Sequence, residues 1–301
     1  MSEDKKIEII SNISELLDFV DPDDTDRCLL ALDMDDMIVR GESLGSDTWF
    51  RTSLKEGRDV NDVLENMGLA YSLMKYSLVE PDTLDILTRI LNGPNADNVD
   101  FLIITSRGIM YYSQTLKHLR EAGVADLLVR PNVLNITDAD DMRVDGIAPN
   151  PNDPKMYPRL RQIRYVDNIC FCVGNDKALI LEELVNRTHT SNPRKKYKKI
   201  VFVDDSIQNV NKVHTSFVNP RRRNMYRGIK TYSVHYSYME IEKRKYNLES
   251  LRKDDERMRY IKNCISYING KVGLNYVVTF NVFMIVSILW WFAFKFLGLI
   301  V

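Results

Sequence analysis

The sequence predicts an α/β protein: a mostly parallel sheet covered by helices on both faces, interrupted by a helical insertion and followed by one membrane-spanning helix. Three observations carry this. Short β-rich apolar runs alternate with helical patterns, the habit of a parallel sheet wrapped by its crossover helices. Each run ends in a polar or small residue, and in open α/β sheets ligands bind at the carboxyl ends of the strands. Finally, Tyr276–Val301 is apolar apart from Lys295 and long enough to cross a hydrocarbon core, which takes about 20 helical residues.

Taken in chain order, residues 1–27 hold no continuous apolar stretch, so they do not form a secretory signal and read as an amphipathic or extended leader. The main domain is expected over 28–236, with strands at Cys28–Leu32, Phe101–Thr105, Ile169–Val173 and Ile200–Val203. Residues 41–100 place Leu64, Met67, Tyr71, Met74 and Leu78 at helical spacing and read as a cap or insertion. Trp49 within it is read as cap packing. A helix is expected at Tyr111–Glu121, then an irregular Pro/Asn/Asp-rich loop at Ile147–Pro158. The basic runs Asn192–Lys199 and Asn219–Arg227 read as solvated surface loops. Residues 237–275 carry mixed charges at helical spacing and read as a stalk leading to the span at 276–301. Lys295 can snorkel from its far end, and Lys262 and Lys271 precede it, so the span reads as a tail anchor with the main domain on the cytoplasmic side.

Composition excludes some functions. Lys and Arg number 41 against 42 Asp and Glu, so no global field draws the chain to nucleic acid, and no specific nucleic-acid partner is expected. The four cysteines, Cys28, Cys170, Cys172 and Cys264, lack the spacing of a zinc site or a disulfide framework and read as reduced thiols.

The chemistry is concentrated at the strand exits. The first strand runs into Asp33, Asp35 and Asp36 in the string DMDD, and carboxylates crowded on one turn need a cation or a proton to neutralise them. Mg²⁺ suits them, being a hard ion that combines one or two carboxylates with substrate phosphate. A second acidic exit, Asp204 and Asp205, follows the strand at Ile200–Val203. Thr105 and Ser106 put hydroxyls at a third exit, where a helix N-terminus can cradle phosphate. Lys177 stands at the start of a helix after Ile169–Val173, where a cation opposes the helix dipole and so hints at a specific task.

In order and context, DMDDM, ITS, GNDK and VDDS resemble the four motifs of the haloacid dehalogenase superfamily, over about Cys28 to Val213. The second acid, Asp35, makes the likeness one to phosphatases, and to haloacid-dehalogenase-like proteins of intracellular bacteria in particular. The resemblance implies a Rossmann-like three-layer fold and a Mg²⁺-dependent phosphohydrolase. It implies that Asp33 attacks phosphorus to form an aspartyl-phosphate and that Asp35 protonates the leaving oxygen and later activates water. It further implies that Thr105, with Ser106, binds the phosphoryl group, and that Lys177 neutralises charge on Asp33 and on the phosphoryl oxygens. Asp33, Asp204, Asp205 and the backbone carbonyl of Asp35 would hold Mg²⁺. Met37 departs from the pattern, which usually has Thr or Val two residues after the second acid.

The expected function is hydrolysis of a phosphate monoester, from a metabolite, a lipid headgroup or a phosphoprotein, by an enzyme tethered to a membrane. The alternatives are a catalytically silent adaptor of the same fold, which would not need Asp33, Asp35, Lys177 and Asp204 together, and a phosphotransferase, which differs only in the acceptor.

Overall fold

A computed structural model describes residues 6–42, 44, 46–129, 163–191, 196–218, 226 and 228–272. They fall into two compact units, one ending at Asn247 and one beginning at Leu248. The first is organised by a seven-stranded sheet in the order β1-β9-β8-β2-β5-β7-β6. Its strands are β1 (Glu8–Ile10), β2 (Cys28–Leu32), β5 (Val99–Thr105), β6 (Arg164–Val166), β7 (Ile169–Phe171), β8 (Lys199–Asp204) and β9 (Lys230–Tyr236). Every neighbouring pair is parallel except β6 with β7.

β2 and β5 are buried along their whole length, which explains the apolar runs Cys28–Leu32 and Phe101–Ile104 within them. Alternation puts Leu29, Ala31, Leu102, Ile104, Ile200 and Phe202 on one face. There they pack against Ile180, Leu181 and Leu184 of α5 (Lys177–Ser191) and Val210, Val213 and Phe217 of α6 (Ile207–Val218). Leu30, Leu32, Phe101, Ile103, Val201 and Val203 take the other face and are buried too. From β2 the chain builds outward through β5 and β7, then returns to lay β8 against the opposite side of β2. The β2/β8 boundary is therefore a topological switch point, where a crevice opens at the strand exits.

The four strands expected from the sequence are all present, β2 with the expected bounds and β5, β7 and β8 with shifted ends, and further differences lie at the edges. Residues expected as a leader supply β1, which pairs with β9, and a 3-10 helix (Ile13–Asp18) whose Asn12 and Glu15 form a capping box. The insertion is narrower than residues 41–100. Two short antiparallel strands, β3 (Val39–Arg40) and β4 (Ser77–Leu78), bracket α1 (Asp47–Lys55) and α2 (Val60–Leu73). The next helix, α3 (Thr83–Leu91), buries Leu87, Ile90 and Leu91 and lies against β5 and residues 13–18, so it belongs to the crossover. Trp49 is buried, as cap packing requires. The helix expected at Tyr111–Glu121 is α4 (Tyr112–Glu121), entered through a 3-10 turn at Ile109–Tyr111. Cys28, Cys170 and Cys172 are buried free thiols, and burial pushes Cys28 up to about 12.

The stalk expected over 237–275 is two helices, because the backbone of Tyr246 is extended, with ψ at 122°. The first, α7 (Glu240–Lys245), ends the first unit; the second, α8 (Leu248–Val272), is a charged helix laced by pairs such as Glu249–Lys253 at 2.8 Å. No helix among the described residues is long and apolar enough to cross a membrane. The predicted span Tyr276–Val301, the loop at Ile147–Pro158 and most of the two basic runs lie outside the described residues.

Candidate active site

β2 delivers Asp33 to the crevice, and its backbone N–H still pairs with Val203 O of β8 at 2.9 Å. The chain then coils at once: the N–H groups of Ile38 and Val39 both donate to Met34 O at 3.0 Å, and Asp36 adopts a left-handed φ of 61°. Asp tolerates that region better than most residues, yet it remains a costly conformation of the kind that clusters at functional sites. Met34 and Met37 are both fully buried.

Lys177 joins two of the exits. Its ammonium lies 2.7 Å from Asp33 Oδ1 and 2.8 Å from Asp204 Oδ2, and the side chain is about 1% exposed. Burial opposes its charge, but Asp204 and Asp33 outweigh that and hold its pKa above the ordinary lysine value. The strained link before α5 aims it: Val173 and Gly174 both have positive φ, at 52° and 68°. Their N–H groups donate to Arg107 O and Ser106 O at 3.1 and 3.0 Å, zipping this loop to the β5 exit. A β-branched residue in the left-handed region is a true outlier, retained where the surroundings over-determine it. Asp204 also accepts from the N–H of Ser206 at 2.8 Å and from Asn209 Nδ2 at 3.1 Å to each oxygen.

Asp33, Asp204 and Asp205 each offer one carboxylate oxygen, all within 4.8 Å of one another. Burial drives the Asp33 carboxyl well above the usual carboxylate range; Lys177 opposes this while Asp204 and Asp205 add to it. The carboxylates are thus under-neutralised, and an all-oxygen donor set of this kind fits a hard divalent cation.

The second acid lies apart. Arg107 Nη2 and Nε reach the two oxygens of Asp35 at 2.6 and 2.8 Å, a bidentate pair. Arg107 is itself buried, with Nη1 donating to Thr115 Oγ1 at 3.3 Å and to His118 Nδ1 at 2.9 Å, and its plane lies 4.3 Å from the ring centre of Tyr71. His118 stacks on Tyr76 at 3.7 Å, and its Nε2 lies 2.8 Å from Tyr71 O. A ring that accepts at Nδ1 from a guanidinium and donates at Nε2 to a carbonyl is the neutral tautomer. Burial and then Arg107 accordingly lower His118 to about 4.

The structure therefore brings together Asp33, Lys177, Asp204 and Asp205. Thr105 is fully buried at the next exit, its Oγ1 accepting from the N–H of Arg107 at 3.2 Å, which leaves its own proton for another acceptor. Ser106 is exposed beside it. Asp35 keeps its carboxylate outside the cluster, against Arg107. Sequence reasoning missed Arg107, Asn209 and Lys243, the last of which reaches Asp36 Oδ2 at 3.0 Å and also bonds Asp205. A charged residue directly after the Thr-Ser of a strand exit was the available signal for Arg107.

Fold and site together define a parallel α/β protein with a buried lysine–carboxylate centre at its switch point. The chain belongs to the family described as Protein of unknown function (DUF2608), whose pattern matches residues 9–268. A solved structure similar to it is the class C acid phosphatase from Bacillus anthracis, at 13% identity over 83% of this chain and 85% of that one, with a TM-score of 0.36. No curated protein matches the chain in sequence.

Proposed function

We propose that the protein is a Mg²⁺-dependent phosphohydrolase of the haloacid dehalogenase type, with Asp33 as nucleophile. The observation that carries this is the buried bridge of Lys177 between Asp33 and Asp204, with Asp205 beside it. An ammonium between two carboxylates, at strand exits that already carry excess negative charge, suits a site whose incoming group is itself anionic.

Asp33, Asp204, Asp205 and the backbone carbonyl of Asp35 would hold the metal. When bound, it supplies positive charge against the phosphoryl oxygens and against Asp33. Lys177 fixes one oxygen of Asp33, leaving the other to attack phosphorus. The Thr105 hydroxyl donates to a phosphoryl oxygen, with Ser106 at the mouth. For Asp35 to protonate the leaving oxygen as the P–O bond breaks, one of its oxygens must come away from Arg107 and take up a proton from solvent; it recovers one from the water that then hydrolyses the aspartyl-phosphate. In the resting site Arg107 holds both oxygens of the Asp35 carboxylate.

The substrate we propose is a phosphate monoester presented at a membrane, a lipid headgroup or phosphoprotein ahead of a free metabolite, because Tyr276–Val301 reads as an anchor. Assaying a panel of phosphate esters with and without Mg²⁺ tests the reading. It expects metal-dependent release of phosphate that drops at least about a thousandfold in Asp33→Asn. Absence of turnover across the panel, together with no binding of Mg²⁺ or a phosphate mimic, would leave the silent adaptor instead.

A further inference from the structure

Asp204 and Asp205 are neighbours in sequence but are neutralised differently. Asp204 is satisfied from within the sheet layer, by Lys177, the N–H of Ser206 and Asn209. Asp205 is met by Lys243, from a helix 38 residues further on, and the same ammonium reaches Asp36 Oδ2 at 3.0 Å. Lys243 thus stands between carboxylates from two strand exits, β2 and β8, alongside the cluster proposed to hold a metal.

Its neighbours show that this is not an ordinary surface arrangement. In the run Lys243-Arg244-Lys245, Arg244 pairs with Glu240 at 2.5 Å and Lys245 with Glu242 at 2.9 Å, exposed pairs one turn away on the helix. Lys243 turns inward and its side chain is 24% exposed. The helix is fixed at its start, where Glu240 lies 3.5 Å from His235, and Arg40 Nη1 lies 3.7 Å from Sδ of Met239, the capping residue. The ammonium is therefore delivered from a seated element.

Charge balance gives it a task. With Asp35 and Arg107 paired off, four carboxylates (Asp33, Asp36, Asp204 and Asp205) when ionised face two cations (Lys177 and Lys243), an excess of two negative charges, which one divalent ion cancels. Without Lys243 the excess would be three, with Asp36 and Asp205 released together. Two-metal centres set a second ion about 3.5–4 Å from the first, sharing carboxylates. Lys243 shares Asp205 with the metal cluster in that fashion.

We propose that Lys243 is a tethered cation standing in for a second metal ion, a positioning residue that limits the centre to a single divalent cation. This rests on the reading that Asp33, Asp204 and Asp205 bind a metal. An ammonium supplies the charge without offering a coordination position, and it repels another ion through Asp205 and Asp36.

The test is Mn²⁺ binding to the full-length chain in detergent, by calorimetry for stoichiometry and electron paramagnetic resonance for spin coupling. Wild type is expected to bind one Mn²⁺ with an isolated hyperfine pattern. Lys243→Met and Lys243→Gln are expected to bind a second equivalent with a coupled spectrum. Lys243→Arg, which keeps the charge, stays with one at near wild-type affinity. If both neutral variants bind only one Mn²⁺, at whatever affinity, Lys243 does not set the metal count. If wild type binds none, the metal reading falls and the proposal with it.

Discussion

The guanidinium of Arg107 grips both oxygens of Asp35, at 2.6 and 2.8 Å, and is itself locked by His118, Thr115 and the face of Tyr71. Through His118 and Tyr71 O this grip is anchored to α2, so the inserted helices help to hold the proposed acid. Arg107→Met is expected to lower kcat/KM at least about a hundredfold, since misplacing a catalytic group by about 1 Å has that effect. The loss should be larger for alkyl phosphates, whose leaving oxygen needs the proton of Asp35, than for nitrophenyl phosphates, whose leaving group departs without it. An equal loss on both would show that Arg107 does not act through the proton of Asp35.

His118 makes the fold sensitive to acid. Its folded pKa is lowered to about 4, against 6.5 in the unfolded chain, so between those values the unfolded state binds more protons. Stability is therefore complete above about pH 6.5 and falls as the pH drops toward 4, by up to about 3 kcal/mol. Urea melts across this window should show the slope, and His118→Gln should flatten it.

Glu80 ties the N-terminal segment to the sheet. One oxygen accepts from Ile13 N at 2.6 Å and from Tyr236 Oη at 2.5 Å, all in a buried setting. Glu80→Ala should destabilise by about 2–3 kcal/mol in denaturant melts, since it orphans two buried donors to a charged acceptor.

Much of this architecture was legible because burial was written in unbroken apolar runs: Cys28–Leu32 is β2 residue for residue. Where polar residues are buried, the signal weakened. β5 begins at Val99, two residues before the apolar run suggests, because Asp100 is carried inside by Arg27 at 2.6 Å. β7 ends at Phe171, short of the expected Val173, because Val173 and Gly174 turn left-handed to aim Lys177. β9 went unread since Thr231, Ser233 and His235 interrupt its apolar pattern, although Ser233 and His235 are buried. The acids and Lys177 could be read from their strand exits. Lys243 could not, because only tertiary packing separates it from the helix pairs around it.

The membrane assignment has its own test. Removing residues 276–301 should release the protein from membranes into the soluble fraction with phosphatase activity unchanged. Continued tight sedimentation with membranes would contradict the anchor.

The most direct test of the central claim is to trap the phosphoryl group. Rapid acid quench during turnover of a radiolabelled phosphate ester should leave label on the protein, and peptide mapping should place it on Asp33. Asp33→Asn should retain none. Turnover that leaves no label, or label on another residue with Asp33→Asn still active, would contradict Asp33 as the nucleophile.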